Sequence, residues 1–70
     1  MKLIGRYAWM CIDGSYVLHL ILDVASNEFL RFWAINNDFE RKWYKLLNLE
    51  TGRIDVWPET SVRINIDRSL

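Results

Sequence analysis

Two apolar stretches on either side of Asp13-Gly14 dominate the first third of the chain. An Asp-Gly pair between two apolar runs is the strongest short-range signal for a β-hairpin with a two-residue loop. That loop sets Ile12 opposite Ser15 and fixes the pairing of every earlier residue. The pattern therefore predicts two long antiparallel strands at the amino-terminal end.

Side chains alternate between the two faces of such a hairpin, and both alternating sets are apolar. The set predicted to face the core is Leu3, Gly5, Tyr7, Trp9, Cys11, Tyr16, Leu18, Leu20, Leu22 and Val24. The other set mixes polar residues with Ile4, Ala8, Met10, Ile12, Val17 and Ile21. A solvated sheet face should be mostly polar. Either a bent strand, a helix or another chain covers part of this second face, or a small barrel leaves some apolar atoms in water.

The middle of the chain contains one predicted strand and one segment that fits two structures. Residues 29–35 are aromatic and β-branched between turn residues, which predicts a strand. Residues 39–50 fit an amphipathic helix that ends at Gly52. They also fit a strand followed by a three-residue loop with Gly52 in the left-handed conformation. We favour the strand because turn residues bound the segment and both neighbouring segments look extended.

The carboxyl-terminal third predicts two more strands. Residues 53–57 make a short strand that stops at Pro58, which suits an edge or a strand end. After it, Val62, Ile64 and Ile66 alternate with polar residues, which is typical of a half-buried strand.

These elements predict one mainly β domain over residues 1–70. The expected architecture is a single small antiparallel meander or a partly closed barrel of five or six strands, of SH3-like or OB-like size. The alternative is an α+β fold in which an amphipathic helix at about 38–50 packs on the sheet.

Composition and charge restrict the function. Nine Lys and Arg balance nine Asp and Glu, so the net charge is zero, which disfavours both a strong phosphate binder and an acidic DNA mimic. The apolar share of 51% is that of a folding chain. A chain with one cysteine and one histidine, Cys11 and His19, cannot form an internal disulfide or the usual closed zinc site. Dense aromatic packing or oligomerisation must stabilise so small a core.

No arrangement of residues predicts catalysis. Cys11 and His19 fall on opposite faces of the predicted hairpin, so they cannot form a nucleophile and base pair. The acidic residues are scattered, and the glycines stand alone rather than in a phosphate-binding loop. We expect no enzymatic activity, no cofactor and no metal.

One stretch is both basic and aromatic. Pairing residues 29–35 with 39–49 around a loop at 36–38 would place cations beside indoles, in a candidate partner-binding patch of Arg31, Trp33, Arg41, Trp43 and Lys45. Trp and Arg are typical anchors of protein interfaces, and aromatic platforms with cations also hold single-stranded nucleic acid. The competing interpretation turns both indoles inward and lets the cations extend to solvent.

The leading hypothesis is a non-enzymatic protein-binding module, an inhibitor or accessory factor of the kind common among phage and mobile-element proteins. The first alternative is a small β-barrel that binds nucleic acid through its Arg and Trp residues. The second is a homo-oligomeric structural protein with a candidate oligomer face of Ile4, Met10, Val17 and Ile21. A single cysteine and the lack of an export signal predict a cytoplasmic protein, and no segment is apolar enough to predict membrane association.

Overall fold

The computed structural model describes residues 2–26, 28 and 42–66. Their strands form one antiparallel sheet in the order β1-β2-β3-β4. The elements are β1 (Tyr7–Ile12), β2 (Ser15–Val24), β3 (Trp43–Asn48), β4 (Ile54–Pro58) and a helix, α1 (Glu59–Asn65). The mainly β prediction is confirmed. Five or six strands and closure into a barrel are not shown, and the strand predicted at 29–35 lies outside the described residues.

The first hairpin has the predicted loop and register. Asp13 and Gly14 both have positive φ, 51° and 81°, as a two-residue type I′ turn requires. Ile12 pairs with Ser15, and the pairing continues without a shift to Tyr7 opposite Leu20.

The segment that fitted both a helix and a strand is a strand. β3 pairs with β2 along one edge and with β4 along the other, so the alternative helix at about 38–50 is wrong for the residues described from 43 onward. Its turn into β4 has four residues, 49–52, rather than three, because the Asn48 N–H donates to the Arg53 carbonyl at 2.8 Å. Gly52 has the predicted positive φ, 78°.

The carboxyl-terminal strand prediction is wrong, because residues 59–65 form α1. Side chains four positions apart share a helix face, so Val62 and Ile66 both pack on the core while Ile64 points outward and is 69% exposed. The helix begins after Pro58, and an Arg63 Nη2 to Glu59 Oε2 contact of 3.4 Å links residues one turn apart.

The helix packs against β1, β3 and β4 and covers one face of the sheet, which we call the covered face. The core residues there and beside it are Leu3, Ala8, Met10, Ile21, Tyr44, Leu46 and Val62. The predicted core face is therefore mostly wrong. Of that set, Leu3 is buried. The exposed members are Gly5, Tyr7, Cys11, Tyr16 and Val24, and the half-buried members are Trp9, Leu18, Leu20 and Leu22. Both alternating sets are apolar, so the position of α1 decides which one becomes the core.

Candidate binding face

The sheet face opposite α1, which we call the outer face, carries a row of apolar side chains across all four strands. Tyr7 pairs with Leu20, Leu20 with Leu47, and Leu47 with Ile54. Residues in register on adjacent strands point to the same side, so this row is one continuous strip. Its ends are open to solvent, since Tyr7 is 52% and Ile54 39% exposed.

The strip widens toward the first hairpin. Trp9 lies opposite Leu18, and Cys11 lies opposite Tyr16. Trp9 and Leu18 are half-buried, whereas Tyr16 is 40% exposed and the Cys11 thiol is exposed. Aromatic rings held on paired strands are rigid, so they offer contact area to a partner at a low cost in conformational entropy.

The predicted patch is only partly within the described residues. Arg31, Trp33 and Arg41 lie outside them. Trp43 and Lys45 lie on the outer face, at the end away from the first hairpin, and both are half-buried.

The strand pairing that was predicted to assemble this patch needs correction. Lys45 already pairs with Asp23 of β2 and Val56 of β4, so no edge remains there for residue 29. The Trp43 carbonyl accepts a hydrogen bond from the Ala25 N–H at 2.8 Å, on the side predicted for residue 31. The two described neighbours of β3 are β2 and β4, and residues 29–35 lie outside the described residues.

The predicted oligomer face needs correction as well. Met10 and Ile21 are each 1% exposed and belong to the core of this chain. Val17 is half-buried, and only Ile4, in the turn before β1, is exposed. Two of the four residues are therefore covered within the monomer.

The covered face contains a histidine that no solvent reaches. The His19 Nδ1 atom lies 2.8 Å from the carbonyl oxygen of Val17, and Nε2 lies 3.2 Å from Oδ2 of Asp55 on β4. Both ring nitrogens thus face oxygen acceptors, which accounts for a histidine with no exposed surface. Cys11 and His19 do lie on opposite faces, as predicted, although the buried member is His19 and the exposed one is Cys11.

Sequence reasoning missed the His19–Asp55 contact, because the two residues are 36 positions apart and on strands that are not neighbours. It also missed that the outer face is the exposed one. The available signal was that Tyr7 and Tyr16 fall on the same face, since their hydroxyl groups favour positions that reach water.

Within residues 2–26 and 42–66, no group of three or more His, Cys, Asp or Glu side chains is arranged to hold a metal ion. In the same ranges, no helix has the length and apolar content that a membrane-spanning helix needs. Comparisons with protein-family models, with curated proteins and with solved structures find no match to this chain. The functional argument therefore rests on the geometry of the outer face.

Proposed function

We propose that this protein is a small non-enzymatic module that binds another protein through its outer face. The observation that carries the proposal is the exposure of Tyr7, Tyr16 and Ile54 on one side of a paired sheet. Exposed apolar clusters of this kind are typical of interaction sites. Tyrosine is one of the side chains that most often contributes a large share of interface binding energy.

The charges of the face favour an apolar contact. Lys45 is directly opposite Asp23 in the sheet, and the strip from Tyr7 to Ile54 carries no charged residue. A partner for such a strip would present apolar and aromatic side chains rather than an anionic surface. Trp43 and Lys45, the described members of the predicted patch, would lie at the rim of the same contact.

The proposal includes no catalytic role. His19, the chain's one histidine, is buried against Asp55 and Val17, away from the outer face. A module of this kind would act as an inhibitor or accessory factor by occupying a surface of its partner. We place it in the cytoplasm, because an exposed thiol such as that of Cys11 suits a reducing compartment.

The experiment is affinity capture with three immobilised proteins: the wild type, a Tyr7→Thr/Tyr16→Thr variant, and Ile64→Ser as the matched control. Ile64 is exposed on α1, so its replacement removes apolar surface away from the outer face. Proteins retained by the wild type and the control but lost by the double variant would support the proposal. Equal retention by all three proteins would contradict it.

A second arm tests the nucleic-acid alternative with a labelled single-stranded oligonucleotide. Binding that weakens as salt increases would favour that alternative, because phosphate contacts release counterions. If the oligonucleotide does not bind even at low salt, the nucleic-acid alternative is contradicted and the proposal of protein recognition stands.

A further inference from the structure

β1 has one edge that faces away from β2. Along this edge, three residues of β1 direct their backbone N–H and C=O groups outward. In a two-residue hairpin the residues that flank the loop form a hydrogen-bonded pair, and such pairs recur at every second residue. The bond of 2.9 Å from the Ile21 N–H to the Arg6 carbonyl follows this phase. Tyr7, Trp9 and Cys11 therefore direct their N–H and C=O groups away from β2. No described residue hydrogen-bonds to these outward groups.

Nothing in the sequence of β1 protects this edge. The strand Tyr7–Ile12 contains no charged residue and no proline. β4, at the other edge of the described sheet, has two protective features: Asp55, turned to the covered face, and Pro58, which lacks an N–H. Natural proteins commonly protect exposed edges in these ways. An edge of β1 that no described residue pairs with, and that carries no charge or proline, therefore indicates a surface that another strand pairs with.

We propose that β1 pairs with β1 of a second copy of this chain, antiparallel and about a twofold axis at Trp9. This register sets Trp9 opposite Trp9 of the partner subunit and Tyr7 opposite Cys11 of the partner subunit. All residues with outward groups then exchange two backbone hydrogen bonds with their opposite residue. The two sheets become one, with both helices on the same side and both outer faces continuous on the other.

Charge favours a second copy as the occupant. The chain has zero net charge, so two copies have no overall repulsion to overcome. In the proposed register Arg6 lies opposite Ile12 of the partner subunit, next to Asp13 of the partner subunit. Opposite charges therefore meet at both ends of the two paired β1 strands. The centre of the paired strands carries no charged residue, so no like charges repel each other there. The inference uses the backbone edge and does not depend on the proposed function of the outer face.

The first test is disulfide trapping of the register with Tyr7→Cys. The Tyr7 side chain is 52% exposed, so we expect the variant to fold. Opposite residues in a hydrogen-bonded pair have Cα atoms about 5.5 Å apart, within the range that a disulfide spans. Mild oxidation should convert Tyr7→Cys to a covalent dimer through Cys11. The Tyr7→Cys/Cys11→Ser variant should stay monomeric on a denaturing gel.

Wild-type protein is the second control. Cys11 and Cys11 of the partner subunit would be more than about 13 Å apart, because four residues of strand separate their levels. A wild-type disulfide dimer would place the axis at residue 11 and would overturn the proposal. Failure of Tyr7→Cys to cross-link would overturn it too.

Sedimentation equilibrium gives a test without cysteine chemistry. Wild-type protein should dimerise reversibly, and Trp9→Lys should weaken dimerisation at least about tenfold by placing two cations on the axis. Val56→Lys is the matched control, since Val56 is the central residue of β4. It should dimerise like the wild type. A wild-type monomer at every concentration would overturn the proposal and leave the edge to a strand of another protein, and equal effects of the two lysines would also overturn it.

Discussion

The covered face and the outer face of this sheet are both apolar, yet they differ in exposure. The covered face buries Met10, Leu46 and the ring of Tyr44, and it also buries His19 and Asn48. The outer face holds Tyr7, Trp9 and Tyr16 and leaves two of these three exposed.

A polar residue in a strand therefore does not by itself mark the solvated side of the sheet. His19 faces the Val17 carbonyl and the Asp55 carboxylate. Asn48 accepts hydrogen bonds from the N–H groups of Glu50 and Thr51 at 2.9 and 3.0 Å. Because their polar atoms have partners inside the chain, these residues can be buried at little cost.

Truncation of a core side chain on the covered face should destabilise the protein more than any other change considered below. Leu46 has no exposed surface, so Leu46→Ala should lower the free energy of unfolding by about 3 kcal/mol through lost burial and a cavity. A domain of this size has only about 4–10 kcal/mol in total. Chemical denaturation followed by circular dichroism measures the change.

The matched control for that variant is its neighbour on β3. Leu47 points to the outer face and is half-buried, so Leu47→Ala should cost clearly less than Leu46→Ala. Equal losses at the two positions would mean that both faces are packed alike.

The next effect in size concerns the buried histidine. His19→Ala should lower the free energy of unfolding by about 2–3 kcal/mol, because the contacts of its ring nitrogens with the Asp55 carboxylate and the Val17 carbonyl are lost. Asp55→Asn should cost less, since the asparagine amide can still form a hydrogen bond with the ring nitrogen. Thermal unfolding of both variants at one pH decides this, and an unchanged midpoint for His19→Ala would contradict the structural role assigned to the contact.

A smaller effect is expected at the second hairpin. Asn48→Ala removes the side-chain oxygen that accepts the Glu50 and Thr51 N–H groups, and should cost about 1–2 kcal/mol. Asn48→Asp keeps an acceptor at that place and should lose less. Denaturant midpoints compare the two variants, and the reverse order of losses would argue against this account of the turn.

The smallest effect is expected on the outer face. Tyr7→Thr should change the free energy of unfolding by no more than about 0.5 kcal/mol, because Tyr7 is mostly exposed and threonine also suits a strand. Urea denaturation measures it. A loss as large as that of Leu46→Ala would place Tyr7 in the core and remove the distinction between the faces.

Local signals predicted the parts of the fold that depend on neighbouring residues. Asp13-Gly14 specifies a type I′ turn, and that turn fixes the whole first register. Gly52 indicated the second turn, and its φ is positive as predicted. The loop is one residue longer than predicted.

The parts that were missed depend on packing between distant segments. Alternation of Val62, Ile64 and Ile66 predicted a strand, but the same residues place Val62 and Ile66 one helical turn apart, which suits α1 equally well. Pro58 followed by Glu59, with Arg63 four residues later, was the signal for a helix start.

The candidate site was predicted only in part, for the same reason. Trp43, one of the two indoles in the predicted patch, lies on the outer face, and Trp33 lies outside the described residues. Tyr7 and Tyr16 were predicted to face the core and instead lie on the outer face. Which face was exposed depended on where α1 docks, and α1 itself was not predicted. A pattern within one hairpin cannot contain that information.

Thiol reactivity at two adjacent positions of β1, residues 10 and 11, distinguishes the covered face from the outer face. In the wild type, Cys11 should react with a thiol reagent at nearly the rate of a free cysteine, because its side chain is exposed. In a Met10→Cys/Cys11→Ser variant, the new thiol occupies a position that is 1% exposed and should react only as fast as the protein unfolds. A protected Cys11 and a reactive residue 10 would contradict the assignment of the two faces.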